Sequence, residues 1–150
     1  MPESKIIVNS VESQERLFVS LTLIGKDLIP DEITSSLGIN PDYSFRRGDS
    51  HQNDHGKMIV RRHGLWEINS DGKKLPSGNI VAQLNWLVDL IEPVRENLSQ
   101  ILENKTIQAR ASCFWIVPDG RINVEVEPEL LSQLASLNMK FWFDIYSDKS

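Results

Sequence analysis

The chain has 150 residues, 40% of them hydrophobic and 25% charged, with a formal net charge of −5. That length suits a single domain with a sizeable core, and the composition excludes a disordered chain. The acidic balance argues against general nucleic-acid binding, because a polyanion is repelled at long range. No apolar run approaches the roughly 20 residues that cross a bilayer, and Ile6-Ile7-Val8 is too short for a secretion signal. Cys113 is the single cysteine, so no intramolecular disulfide forms, and a soluble cytoplasmic protein is expected.

Residues 1–15 are polar and read as a frayed or edge segment. In Leu17–Ile24, Leu17, Val19, Leu21 and Leu23 fall on one face, the period of a strand with one face buried. Gly25-Lys26-Asp27 turns the chain into Pro30-Asp31-Glu32, which predicts a helix start. Proline loses nothing in the first turn, and the acids complement the positive end of the helix dipole. Ile33 and Leu37 share a face, and Gly38 suits the left-handed position that ends a helix.

Residues 40–63 carry turn formers, charges and all three histidines with little periodicity, which predicts the longest irregular segment. Five basic residues (Arg46, Arg47, Lys57, Arg61, Arg62) stand there against Asp49 and Asp54, so this window is +3 and the rest of the chain −8. Gly64–Asn69 reads as a short strand, with Met58-Ile59-Val60 leading into it.

Ile80, Leu84, Leu87, Ile91, Val94, Leu98 and Ile101 form one apolar stripe at intervals of four and three, the clearest helix of the chain. Ser77 or Asn79 suits its N-cap, and Pro93 predicts a kink or a break, with the second piece starting there. Thr106–Val117 and Arg121–Glu127 flank Pro118-Asp119-Gly120, a hairpin signal. A second Pro-acid helix follows at Pro128-Glu129, with Leu130, Leu131, Leu134 and Leu137 inward. The closing strand Met139–Tyr146 puts Met139, Phe141, Phe143 and Ile145 inward, and Lys140, Trp142, Asp144 and Tyr146 on the other face.

The predicted order is β-α-β-α-β-β-α-β: a ferredoxin-like split unit preceded by an extra β-α. The expected fold is therefore one α+β domain, a two-layer sandwich with helices on one face of a largely antiparallel sheet.

These elements resemble the family of mainly bacterial proteins called domain of unknown function 4279. The residues carrying the resemblance are Leu17–Ile24, Pro30-Asp31-Glu32-Ile33, Leu37-Gly38-Ile39-Asn40-Pro41 and Gly48. Gly64-Leu65-Trp66, Leu84–Leu90, Leu134–Leu137 and Phe143-Asp144-Ile145-Tyr146 complete it, so that it spans roughly residues 16–147. The resemblance implies a compact α+β domain without an established catalytic set. By analogy with other small bacterial domains, it suggests an immunity protein that neutralises a toxin.

Catalytic signals are sparse. His51, Asp54, His55 and His63 have metal-ligand chemistry but no recognised spacing, and an exposed His-bearing loop is the favoured reading, with no metal or cofactor expected. Cys113 falls on the core face of its strand, so a buried hydrophobe is favoured over a nucleophile. Glu125 and Asp144 are the one carboxylate pair considered for acid-base chemistry. There is no nucleophile elbow, dinucleotide fingerprint or phosphate loop.

The favoured function is a non-enzymatic binding module, an immunity or regulatory protein with a protein partner. It would use the sheet face opposite the helices, where Ser20, Thr22, Gln108, Arg110, Ser112, Asn123, Glu125, Trp142, Asp144 and Tyr146 are expected. Arg46, Arg47, His63 and Trp66 join Arg110, Trp142, Asp144 and Tyr146 as candidate ligand- or partner-binding residues. The alternative is an anion- or small-ligand-binding protein, or an enzyme, using Arg46–His63, since paired guanidinium groups grip phosphate or carboxylate. Self-association through the Ile80–Ile101 stripe or a sheet edge is a third reading. If residues 40–63 fold over Trp142 and Tyr146, those aromatics merely extend the core.

Overall fold

A computed structural model describes residues 16–73, 75, 79–118 and 123–148. The long apolar alternation of β1 (Arg16–Gly25) makes it the central strand. It pairs antiparallel with β5 (Gly64–Asn69) on one side and β6 (Ile107–Pro118) on the other. β2 (Tyr43–Phe45) extends the sheet antiparallel beyond β5. β7 (Lys140–Asp148) lies parallel to β6 at the opposite edge, giving the order β2-β5-β1-β6-β7. A separate ribbon of β3 (Ser50–Gln52) and β4 (Met58–Val60) lies within the basic segment.

The helices are α1 (Pro30–Leu37), α2 (Ile80–Ile91), α3 (Arg95–Leu102) and α4 (Pro128–Ser136). They cover the sheet face that carries Val19, Leu21, Leu23, Trp66, Ile68, Ala111, Cys113 and Trp115, all of which are buried. Leu84, Leu87, Val88, Ile91 and Leu98 supply the helical half of this core. The result is the expected α+β two-layer sandwich.

Local chemistry places the ends. Pro30 opens α1 and Gly38 closes it at φ 68°. Asn79 caps α2 by accepting from the Ala82 N–H at 3.1 Å, whereas Ser77, the other candidate cap, lies outside the described residues. Pro93 breaks the long stripe as anticipated, but the break is a single 3-10 turn, Glu92–Val94, after which α3 starts at Arg95. A buried polar link ties the layers together: the Ser70 hydroxyl accepts from the Val19 N–H at 3.0 Å and donates to Gln83 Oε1 on α2.

Three expectations are corrected. The chain after β6 does not return as a hairpin strand: residues 119–122 lie outside the described set, and 123–127 carry no strand. The cause is occupancy, because β1 flanks β6 on one side and β7 on the other. The ferredoxin-like β-β step is therefore replaced by a β6-α4-β7 parallel crossover. Residues 40–63 are not irregular throughout, since they build β2 and the β3–β4 ribbon, and they sit beside β5 rather than over β7. Phe143 and Ile145 do not reach the core; they are 50% and 54% exposed. α4 packs beside α2, and β7 is left as an edge with only Met139 and Phe141 drawn against the core.

Candidate functional site

Among the described residues, nothing covers the β6–β7 side of the sheet face away from the helices. Alternation along β7 puts Trp142, Asp144 and Tyr146 on it, and the parallel register sets Ser112 beside Trp142 and Phe114 beside Asp144. Trp142 and Tyr146 are 49% and 51% exposed, so no segment of the described chain folds over them.

The side chains interlock. The Arg110 guanidinium stacks over the Trp142 ring at 4.7 Å from its centroid, a cation–π contact that orients both groups. Phe114 lies against Phe18 and Tyr146, with ring centroids 5.1 and 5.5 Å apart. Towards β5, the Glu67 carboxylate accepts from the Thr22 hydroxyl at 3.0 Å and the Asn69 amide at 3.1 Å. The Tyr146 hydroxyl donates to Asp144 Oδ2 at a long 3.3 Å. That hydrogen bond, and then the Asp144 charge, push the phenol above its ordinary range.

Two adjoining hollows share Arg110 and Trp142. One, about 470 Å³, runs past Ile24, Leu65, Gln108, Met139 and Lys140. The other, about 290 Å³, is lined by Phe18, Ser20, Glu67, Ser112, Phe114 and Asp144. Apolar walls with a few charged groups are what a partner's side chains require for specific seating.

The eight candidate residues separate into three places. Arg110, Trp142, Asp144 and Tyr146 come together as described. Arg46, Arg47 and His63 lie towards the other edge of the sheet, near β2 and β5. Arg47 Nη2 there pairs with Asp27 Oδ1 at 3.3 Å, and Arg61 stacks on Phe45 and donates to the Tyr43 hydroxyl at 2.8 Å. Two of the five basic groups are thus engaged by the protein's own side chains, while Arg46 and His63 remain exposed. Trp66 belongs to neither group, because it is wholly buried on the helix side and donates from Nε1 to Thr34 Oγ1 at 3.0 Å. Its assignment to a binding surface is withdrawn.

Other expectations shift too. Asn123 and Glu125 are off the sheet. Glu125 joins Asp89, Glu127 and Glu129 in an acidic groove of about 510 Å³ beside α2 and α4. It therefore does not meet Asp144 as a carboxylate pair. Ser20 and Thr22 lie on the open face as expected but are buried beneath their neighbours. Phe18, Glu67 and Phe114 were missed, although counting in twos from Ser20 and Ser112 would have put both phenylalanines there. Among the described residues, no three His, Cys, Asp or Glu side chains are grouped to hold a metal ion.

Cys113 is buried in the core, and desolvation pushes its thiol up to about 11. A thiol-specific reagent at pH 8 is accordingly expected to leave the native protein unmodified and to label it fully in denaturant. Because the folded-state value is raised, the stability supported by the neutral thiol is intact below pH 9 and is lost as pH climbs through about 11. Rapid native labelling at pH 8 would contradict this placement.

With this geometry established, a family model described as Domain of unknown function (DUF4279) matches residues 15–148. The chain belongs to the DUF4279 family. The match runs from the start of β1 to the end of β7, so the DUF4279 unit is the whole sandwich, including the open face and the basic segment. No curated protein and no solved structure matches the chain. No helix among the described residues is long and apolar enough to cross a membrane.

Proposed function

We propose that this DUF4279 protein is a non-enzymatic binding module that recognises a protein partner through its open sheet face, in an immunity or regulatory role. The observation that carries the reading is the Arg110–Trp142 stack between two hollows, with Asp144 and Tyr146 beside it. Tryptophan, tyrosine and arginine are the residues that most often dominate protein interfaces, because they bury large area while keeping a polar handle. Mounting them on a strand rather than a loop lowers the entropic cost of ordering them on binding. Anion binding by the 46–63 segment is less favoured, since Arg47 and Arg61 are engaged internally.

Trp142→Ala and Asp144→Ala are each expected to leave far-UV circular dichroism and melting temperature nearly unchanged, because both residues lie outside the core. Each should weaken capture of the partner from a lysate of the source cell by tenfold or more, equivalent to about 1.4 kcal/mol. Capture unaltered in both variants would remove this face as the binding surface.

A further inference from the structure

β7 is a nine-residue strand at the rim of the sheet, and among the described residues no strand pairs with its outer edge. Natural sheets blunt such an edge with shortness, charge, proline or a bulge, because its free N–H and C=O groups template pairing with another chain. The opposite edge follows that rule: β2 is three residues long and runs into Arg46-Arg47. β7 does not. Between Phe141 and Ile145 it carries one charge, Asp144, and large side chains are half-exposed on both of its faces.

We propose that β7 pairs antiparallel with β7 of a second copy of this chain, about a two-fold axis through Phe143. The sequence is self-complementary in that register. Phe143 meets its own counterpart, Phe141 lies opposite Ile145, and Trp142 lies opposite Asp144. Aromatic–aromatic and aromatic–β-branched pairs are among the stabilising cross-strand neighbours. Lys140 falls diagonally across from Asp144 of the second copy, within reach of a long side chain. Shifting the axis to Asp144 would set carboxylate against carboxylate, so charge excludes that register. The contact is isologous and closes on itself, giving a dimer and not a filament. Sheet pairing covers Phe143 and Ile145 on the helix side and joins the open faces of both copies into one surface. This goes beyond the partner-binding reading, and Phe143 lies on the opposite side of the sheet from the Arg110–Trp142 stack, so the two can fail separately.

The test is light scattering on the full chain from micromolar to millimolar concentration, with cysteine cross-linking to read the register. Wild type is expected at twice the 17.1 kDa chain mass, falling towards the single mass on dilution. Phe143→Lys is expected at the single mass with unchanged circular dichroism. Directly opposed strand residues lie within disulfide range, so Phe143→Cys should form a covalent dimer under mild oxidation. Ile145→Cys, opposite Phe141 and not its own counterpart, should not. The buried, protonated Cys113 contributes no background. A wild-type chain that keeps the single mass throughout would overturn the proposal. So would faster cross-linking of Ile145→Cys than of Phe143→Cys, and this comparison stands even if Phe143→Lys fails to fold.

Discussion

Replacing Trp66 with alanine is expected to cost about 3–5 kcal/mol of folding stability, the usual range for deleting a buried aromatic side chain. Trp66 is wholly buried where β5 meets α1, and its indole N–H donates to Thr34 Oγ1 at 3.0 Å. Truncation would open a cavity in the centre of the core and also strand the Thr34 hydroxyl. The cavity term should dominate: Trp66→Phe keeps most of the ring volume, loses the hydrogen bond, and should cost nearer about 1 kcal/mol. Urea denaturation followed by circular dichroism measures both. Equal losses for the two variants would mean that the hydrogen bond, and not packing, is what matters at this position.

Gly64→Ala should be nearly as damaging although it adds a single methyl group. A Cβ on Gly64 would lie 2.0 Å from the Leu28 carbonyl oxygen and 2.9 Å from its carbon. Both are backbone atoms, so no side-chain rotation relieves the clash. Gly64 is paired with Gly25 where β5 and β1 come together, and the chain leaving β1 passes over it through Leu28. Overpacking costs about 1–3 kcal/mol where side chains can yield, and backbone against backbone belongs at or above the top of that range. At about 2–4 °C per kcal/mol for a chain of this size, the melting temperature should fall by roughly 6–12 °C. Gly38→Ala is the control, with no atom within 4 Å and only its φ of +68° to strain it, a cost of roughly 1–2 kcal/mol. A Gly64→Ala protein that melts within a degree or two of wild type would show that the β1–α1 turn relaxes freely.

Where local chemistry decides a feature, the sequence was readable. The alternation of β1, the Pro-acid starts of α1 and α4, the cap at Gly38 and the break at Pro93 each follow from one or two residues. The placement of Cys113 followed from the same alternation. What could not be read depends on neighbours distant in the chain. Period two says that Phe143 and Ile145 share a side with Phe141, but not whether a helix lies over them. It separates Leu65 from Trp66 without saying which of the two meets the core. β2, β3 and β4 are three residues each, too short to show a period. The site divides in the same way: Trp142, Asp144 and Tyr146 were grouped by alternation along one strand. The Arg110 stack and the Glu67 network needed the pairing of β1, β5, β6 and β7, which no local pattern contains.

The central position of β1 has a consequence for synthesis of the protein. It is the earliest of the described strands to leave the ribosome, yet Thr22 waits for Glu67, 45 residues later, and longer still for β6. Until those arrive, Val19, Leu21 and Leu23 form a sticky ribbon with no native place to go. Non-local pairing of this kind slows folding and prolongs exposure of apolar surface. The nascent chain should therefore depend on chaperone protection until β6 has emerged.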